Sequence, residues 1–349
     1  MKIAFVGVKR KYLELPKEYI YNFNRYHLEL PFYYARDGEN DVTITTVDMT
    51  VSSDYFRLIG DGLKHPKFLE MQMESEFQKS SEKFDVVIHW RKWFPELYRP
   101  EALNLLNCQD HSFSSEWKDS VRQAMNAGQL YGILCFPTWH QRNLHQETGI
   151  PMERLLAGVT LGVDTDIYRP ALVKDPYQML WASDPGRGLT NASLLAVELF
   201  QRDKRFRLHV CQPDYAKGIL PIRHPAIVEC GNVQNGPRLW ELFNSSGILP
   251  YTSTFSEPSS RAHRQAQAAG CLVLYPPFMG TPSELPDANV NRIVRPVAEW
   301  RDIILNQVES GSWKTFGELA RAHAISENWP VQAQRFNLLM NKIRETKNA

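Results

Sequence analysis

Residues 249–274 hold the densest set of side chains able to do chemistry. Glu257, Ser259, Ser260 and Arg261 follow closely behind the apolar Leu249-Pro250-Tyr251. A carboxylate accepts from hydroxyls, a guanidinium meets an anion, and the backbone N–H groups of a helix start add positive potential. The stretch reads as strand, loop, helix, strand. The apolar end of 247–252 predicts a buried strand. Ser256-Glu257-Pro258 predicts a helix start, with Pro258 in the first turn. Ala266, Ala268 and Ala269 let that helix lie close to a sheet, and Gly270 stops it. Cys271–Leu274 is the short apolar run of a parallel strand covered on both faces. Ligands of open α/β sheets bind beyond the carboxyl ends of strands, where helix N-termini point, so this cluster belongs at a cleft. The plainer alternative is an ordinary βαβ unit with a surface glutamate at a helix start.

Other candidates sit in similar places. Tyr177–Ala182 reads as a strand, and a helix runs from about Thr190 to Gln201. Between them, Ser183-Asp184-Pro185-Gly186-Arg187-Gly188-Leu189 is in outline a phosphate cradle. Gln109-Asp110-His111 lies just past the strand Leu103–Cys108; Asp110 can orient the His111 ring, or both are plain loop residues. Trp90-Arg91-Lys92-Trp93-Phe94, at the end of the strand Asp85–His89, can stack a sugar or base, or simply pack a loop. Lys9-Arg10-Lys11 reads as solvated surface, with an anion-facing position as the alternative.

Several of these segments resemble one family. Glu257, seven intervening residues, then Gln265 and Ala266-Gln267-Ala268-Ala269-Gly270 resemble the donor motif of retaining GT-B glycosyltransferases of the family 4 type. There a second glutamate stands where this chain has Gln265. Gly162-Val163-Asp164-Thr165-Asp166-Ile167-Tyr168-Arg169-Pro170 resembles that family's interdomain segment, and Ser183–Leu189 its diphosphate loop, with Arg187 as the phosphate-binding cation. Phe278–Leu285 resembles the segment before the last strand, with Glu284 matching. Two departures stand out. The Gly-Gly after the first strand is missing, and Leu180, Trp181 and Ala182 occupy the place of a second cation.

The resemblance implies two Rossmann-like domains facing across a cleft: 1–170 on the acceptor side and 171–328 binding the nucleotide sugar, joined by a linker at Ala171–Pro176. A last helix in 329–349 returns to the first domain. It implies transfer of a hexose from a nucleotide diphosphate sugar, a UDP-sugar favoured, to an unidentified acceptor, with retention of configuration and no metal. Arg187 and the backbone near Ser259–Arg261 would meet the diphosphate. Glu257 would hold sugar hydroxyls, Gln265 the ribose and Val233 the base, and His111 would approach the donor sugar.

Composition sets the remaining bounds. The chain has 349 residues, 43% hydrophobic and 23% charged, as for a globular protein of two domains. Net charge is +1, so no polyanion-binding signature covers the whole chain. Residues 1–170 carry 20 basic against 23 acidic residues, and 171–349 carry 20 against 16. The acidic first half argues against broad DNA-backbone binding, which leaves nucleic acid only as an acceptor, in an enzyme acting on modified DNA bases. A non-catalytic nucleotide-sugar binder is the alternative from another class. Five widely spaced cysteines without a CxxC pair read as reduced core residues of a cytoplasmic protein. No run is apolar for long enough to span a membrane, and Met1–Gly7 reads as a first strand rather than a signal peptide.

Overall fold

Runs such as Ile3-Ala4-Phe5-Val6 and Val86-Val87-Ile88 offer no polar face to water, so they need a parallel sheet covered on both sides. The computed structural model describes residues 1–8, 25–46, 69–136, 138–212, 221–231, 233, 236–253, 255, 257–276 and 297–348. They form two units, Met1–Thr160 with Trp329–Ala349, and Leu161–Asn328.

In the first unit, β1 (Lys2–Val8), β2 (Asp41–Thr46), β3 (Leu69–Met73), β4 (Val86–Trp90), β5 (Leu103–Asn107), β6 (Gly132–Cys135) and β7 (Leu155–Ala157) lie parallel in the order β3-β2-β1-β4-β5-β6-β7. Ile3 pairs with Val86 and Phe5 with Ile88, which puts those apolar runs side by side at the centre. Helices α1 (Arg25–Arg36), α2 (Glu74–Lys79), α3 (Ser115–Asn126) and α4 (Trp139–Thr148) alternate with the strands. Pro31 sits inside α1. Gly7 has φ +78°, and a Cβ there would stand 2.0 Å from the Phe94 ring, so no other residue fits at the end of β1.

The second unit repeats the plan. Strands β8 (Asp175–Ala182), β9 (Arg207–Cys211), β10 (Ile227–Gly231), β11 (Ser246–Pro250) and β12 (Leu272–Leu274) lie parallel in the order β10-β9-β8-β11-β12. With them run α5 (Leu189–Arg202), α6 (Pro237–Ser245), α7 (Arg261–Ala268), α8 (Val297–Glu309) and α9 (Trp313–Ser326). Strand order reverses between β8 and β11, the place where sheets of this kind open a crevice.

The last helix, α10 (Trp329–Asn348), belongs to the first unit. Trp329 stacks on Tyr33 with centroids 4.8 Å apart, and Phe336 on Tyr34 at 4.1 Å. Gln332 accepts from the Thr160 N–H at 2.8 Å, and Arg344 donates to Asp85 at 2.7 Å.

The structure adds to and amends the reading of the sequence. Residues 53–84 read as helix and loop, yet Leu69–Met73 is a strand on the edge of the sheet, and Ile227–Gly231 is a second unforeseen edge strand. Contacts divide the chain at Thr160, ten residues before the boundary expected at 170; Val163 and Tyr168 are buried in the second unit's core. The Lys9–Lys11 triplet and the Glu284 segment lie outside the described residues.

Candidate functional site

The second unit's candidate site grows from the ends of β8 and β11. After β8, Asp184 accepts from the Gly186 N–H at 2.8 Å, and residues Pro185–Arg187 form one tight turn. Gly188 follows with φ +130°. A Cβ there would lie 2.4 Å from the Thr252 carbonyl oxygen, and the Thr252 hydroxyl donates to the Gly188 carbonyl at 2.8 Å. The loop after β8 is thus fastened to the loop after β11, and Arg187 is aimed by that fastening.

Arg187 Nη1 meets Glu257 Oε1 at 2.7 Å. The guanidinium side chain is 37% exposed and the carboxylate 3%, so Glu257 is the more enclosed of the pair. Tyr251 donates its hydroxyl to the same Oε1 at 2.5 Å, and Ser183 shares a hydrogen bond with that hydroxyl at 3.1 Å. Tyr251 stacks on Trp181 at 5.6 Å, and the Arg187 guanidinium lies 5.1 Å from the Phe255 ring centre. Burial pushes the Glu257 carboxyl up, against the opposing pull of Arg187, Tyr251 and Ser260. Burial works most strongly against the charge on Arg187, but Glu257 and Tyr251 together outweigh it and hold the guanidinium protonated. Burial, then Glu257, pushes the Tyr251 phenol up, so it stays a donor.

This arrangement moves the start of α7. Pro258 was expected in its first turn, but the helix begins at Arg261 with Ser260 at the cap position in extended backbone. The Ser260 side chain makes no capping bond. Ser259 and Arg261 are half-buried beside it. Gln265 then lies one turn into α7, and its amide donates to the Tyr168 hydroxyl at 2.8 Å. Val233 is buried just past β10, its N–H bonded to the Gly231 carbonyl at 3.0 Å. The structure thus brings Arg187, Glu257 and Ser260 together and puts Val233 at the other end of the sheet's first three strands. Tyr251 and Ser183 were not singled out as site residues. The available signal was a tyrosine closing an apolar strand, because a buried phenol needs a partner.

His111 belongs to the first unit, half-buried beyond β5, its carbonyl held by Asn143 at 2.9 Å. The Asp110 carboxylate is held by Arg91 in a two-pronged pair. Arg91 has φ +63°, and its carbonyl accepts from the Trp117 indole at 2.8 Å. Trp90, Trp93 and Phe94 are buried, with Trp93 against His89 at 4.2 Å, so the aromatics of this segment pack the loop and present no free stacking face. Among the described residues, no three His, Cys, Asp or Glu side chains stand close enough together to hold a metal ion, and no helix is long and apolar enough to cross a membrane.

No family model and no curated protein sequence matches the chain. Solved structures do. A glycosyltransferase from Rickettsia africae matches at TM-score 0.70 and 15% identity, covering 98% of each chain. Sucrose-phosphate synthase from Thermosynechococcus elongatus matches at 0.68 and 12%, covering 99% of each. HepE from Anabaena, in complex with UDP-glucose, matches at 0.65 and 15%, covering 100% of this chain and 99% of the other. The chain therefore has the GT-B fold of glycosyltransferases, with two parallel-sheet α/β units.

Proposed function

We propose that the chain is a retaining glycosyltransferase of the family 4 type. It moves a hexose from a nucleotide diphosphate sugar, a UDP-sugar favoured, to an acceptor hydroxyl, without a metal and in the cytoplasm. The observation that carries this reading is the Arg187–Glu257 pair at the strand-order reversal of the second unit. As the bond from sugar to diphosphate breaks, negative charge grows on the leaving phosphate oxygens. A fixed cation at that point is the main electrostatic demand of the step. Arg187 meets it with a partly exposed guanidinium held by a buried carboxylate. Glu257 acts through Arg187 as a positioning residue, and Tyr251 and Ser183 keep that carboxylate in place. The fold shared with HepE, which was solved with UDP-glucose, supports a uridine nucleotide.

Calorimetry with UDP and turnover of UDP-, GDP- and ADP-sugars test the reading, with an acceptor panel that includes DNA carrying modified bases. A hydrogen bond to a charged group contributes about 1.5–3 kcal/mol, so Arg187→Ala should weaken UDP binding roughly tenfold or more, and Arg187→Lys less. An unchanged dissociation constant removes Arg187 from the site. Tight binding without turnover of any donor, by acceptor or by water, favours the non-catalytic binder.

A further inference from the structure

The second unit carries a pair of cysteines that the proposed transfer does not use. Cys211 ends β9, and Cys230 lies in the neighbouring edge strand β10. The register pairs Val228 with His209 and Glu229 with Val210. It then shifts, so that Gly231 and not Cys230 stands opposite Cys211. Residues two apart along a strand point to the same face, so His209 and Cys211 share one on β9. Cys230 Sγ lies 3.9 Å from His209 Nδ1, which puts Cys230 on that same face. Neighbouring strands run about 4.8 Å apart with a rise of about 3.3 Å per residue, so a one-residue offset leaves the two Cα atoms roughly 5.8 Å apart, inside the separation a disulfide spans.

From this geometry we infer that Cys230 is a thiol–disulfide exchange site, and that Cys211 resolves its mixed disulfide into a Cys211–Cys230 bond. The two cysteines differ as these roles require. Cys211 is buried, whereas Cys230 is partly exposed on an edge strand where a small disulfide can reach it. The hydrogen bond from Cys211 holds the Cys230 thiol below its usual range; partial burial opposes this, and His209 and Arg238 reinforce it. The same bond, with burial, pushes Cys211 up. The thiolate is the nucleophile in exchange, so Cys230 attacks first. Burial pushes Cys108, Cys135 and Cys271 up and leaves them unreactive by comparison.

The chemistry balances with a low-molecular-weight disulfide as oxidant. The Cys230 thiolate attacks one sulfur of oxidised glutathione and expels one glutathione thiolate. Cys211 then loses its proton and attacks the Cys230 sulfur, expelling the second. Two protein thiols are oxidised and one small disulfide is reduced to two thiols. The product ties the end of β9 to the edge strand β10.

The test is to incubate the whole native chain with oxidised glutathione, block remaining thiols with iodoacetamide and map the peptides by mass. The wild type should give a Cys211–Cys230 disulfide that dithiothreitol reverses. Cys211→Ser and Cys211→Ala should stop at glutathione on Cys230, and Cys230→Ser should leave Cys211 free. A wild type with Cys230 unmodified, when a reference dithiol in the same buffer is oxidised, overturns the exchange site. A stable glutathione adduct on wild-type Cys230 with Cys211 still free overturns the resolving step. Mapping the wild type alone decides both points if a variant fails to fold.

Discussion

Glu257 shows how one residue's surroundings set its role. A carboxylate with 3% exposure is costly to ionise, and two hydroxyls plus Arg187 only partly offset that cost. Its folded pKa lies above the usual 4.5, so the folded protein holds this proton more tightly than the unfolded chain does. The stability that follows is fully present below 4.5 and is lost as pH rises through the folded value. Glu257→Gln cannot ionise, so it should flatten this limb of the pH profile. Urea midpoints of both proteins from about pH 4 to 8 check it: the variant should gain on the wild type as pH rises, and parallel curves would sink the idea. Gln265 is the contrasting case. Its amide donates to Tyr168, so this neutral side chain has a partner inside its own unit.

Among the elements, the ends of α6 and α7 depend on a residue from neither helix. Lys174 Nζ donates to the carbonyls of Phe243 at 3.3 Å, Asn244 at 3.0 Å and Ala269 at 2.8 Å. The last carbonyls of a helix lack partners and carry the negative end of its dipole, so one ammonium serves both helices. Lys174→Met keeps the stem and removes the charge. It should cost about 2 kcal/mol in chemical denaturation, with Lys174→Arg losing less. Equal stability of the methionine variant would show that water replaces the ammonium at no cost. Because α7 carries Gln265 and follows Glu257, its C-terminal anchoring also bears on the candidate site.

At the scale of the whole molecule, the chain leaves the first unit at Thr160, builds the second, and returns as α10. The return is a core contact: Trp329 and Phe336 stack on Tyr33 and Tyr34, and all four are buried. Phe336→Ala should cost the first unit about 3–5 kcal/mol, the range for emptying a buried phenylalanine site. Hydrogen exchange read by mass spectrometry should show faster exchange in β1, β2 and β4, with the second unit's strands unchanged. Equal acceleration in both units would contradict the division at Thr160.

The sequence alone determined the features that depend on neighbours along the chain. Central strands such as Ile3–Val6 and Val86–Ile88 are continuous apolar runs, and α10 shows its apolar stripe at Phe336, Met340 and Ile343. The glycine loop before Leu189 and the small-residue helix before Gly270 are local patterns too, which is why the two-unit α/β plan was legible. Edge strands β3 and β10 were not, because a strand with only one neighbour needs no strong apolar run. The site's wiring was hidden for a different reason. Arg187 and Glu257 are 70 residues apart, as are Lys174 and Asn244, and Thr160 and Gln332 are 172 apart. Whether Glu257 is exposed or enclosed beside Arg187, and whether α7 starts at Pro258 or Arg261, depends on partners that only the folded chain brings together. Burial then decides which of those charged and polar groups must pair.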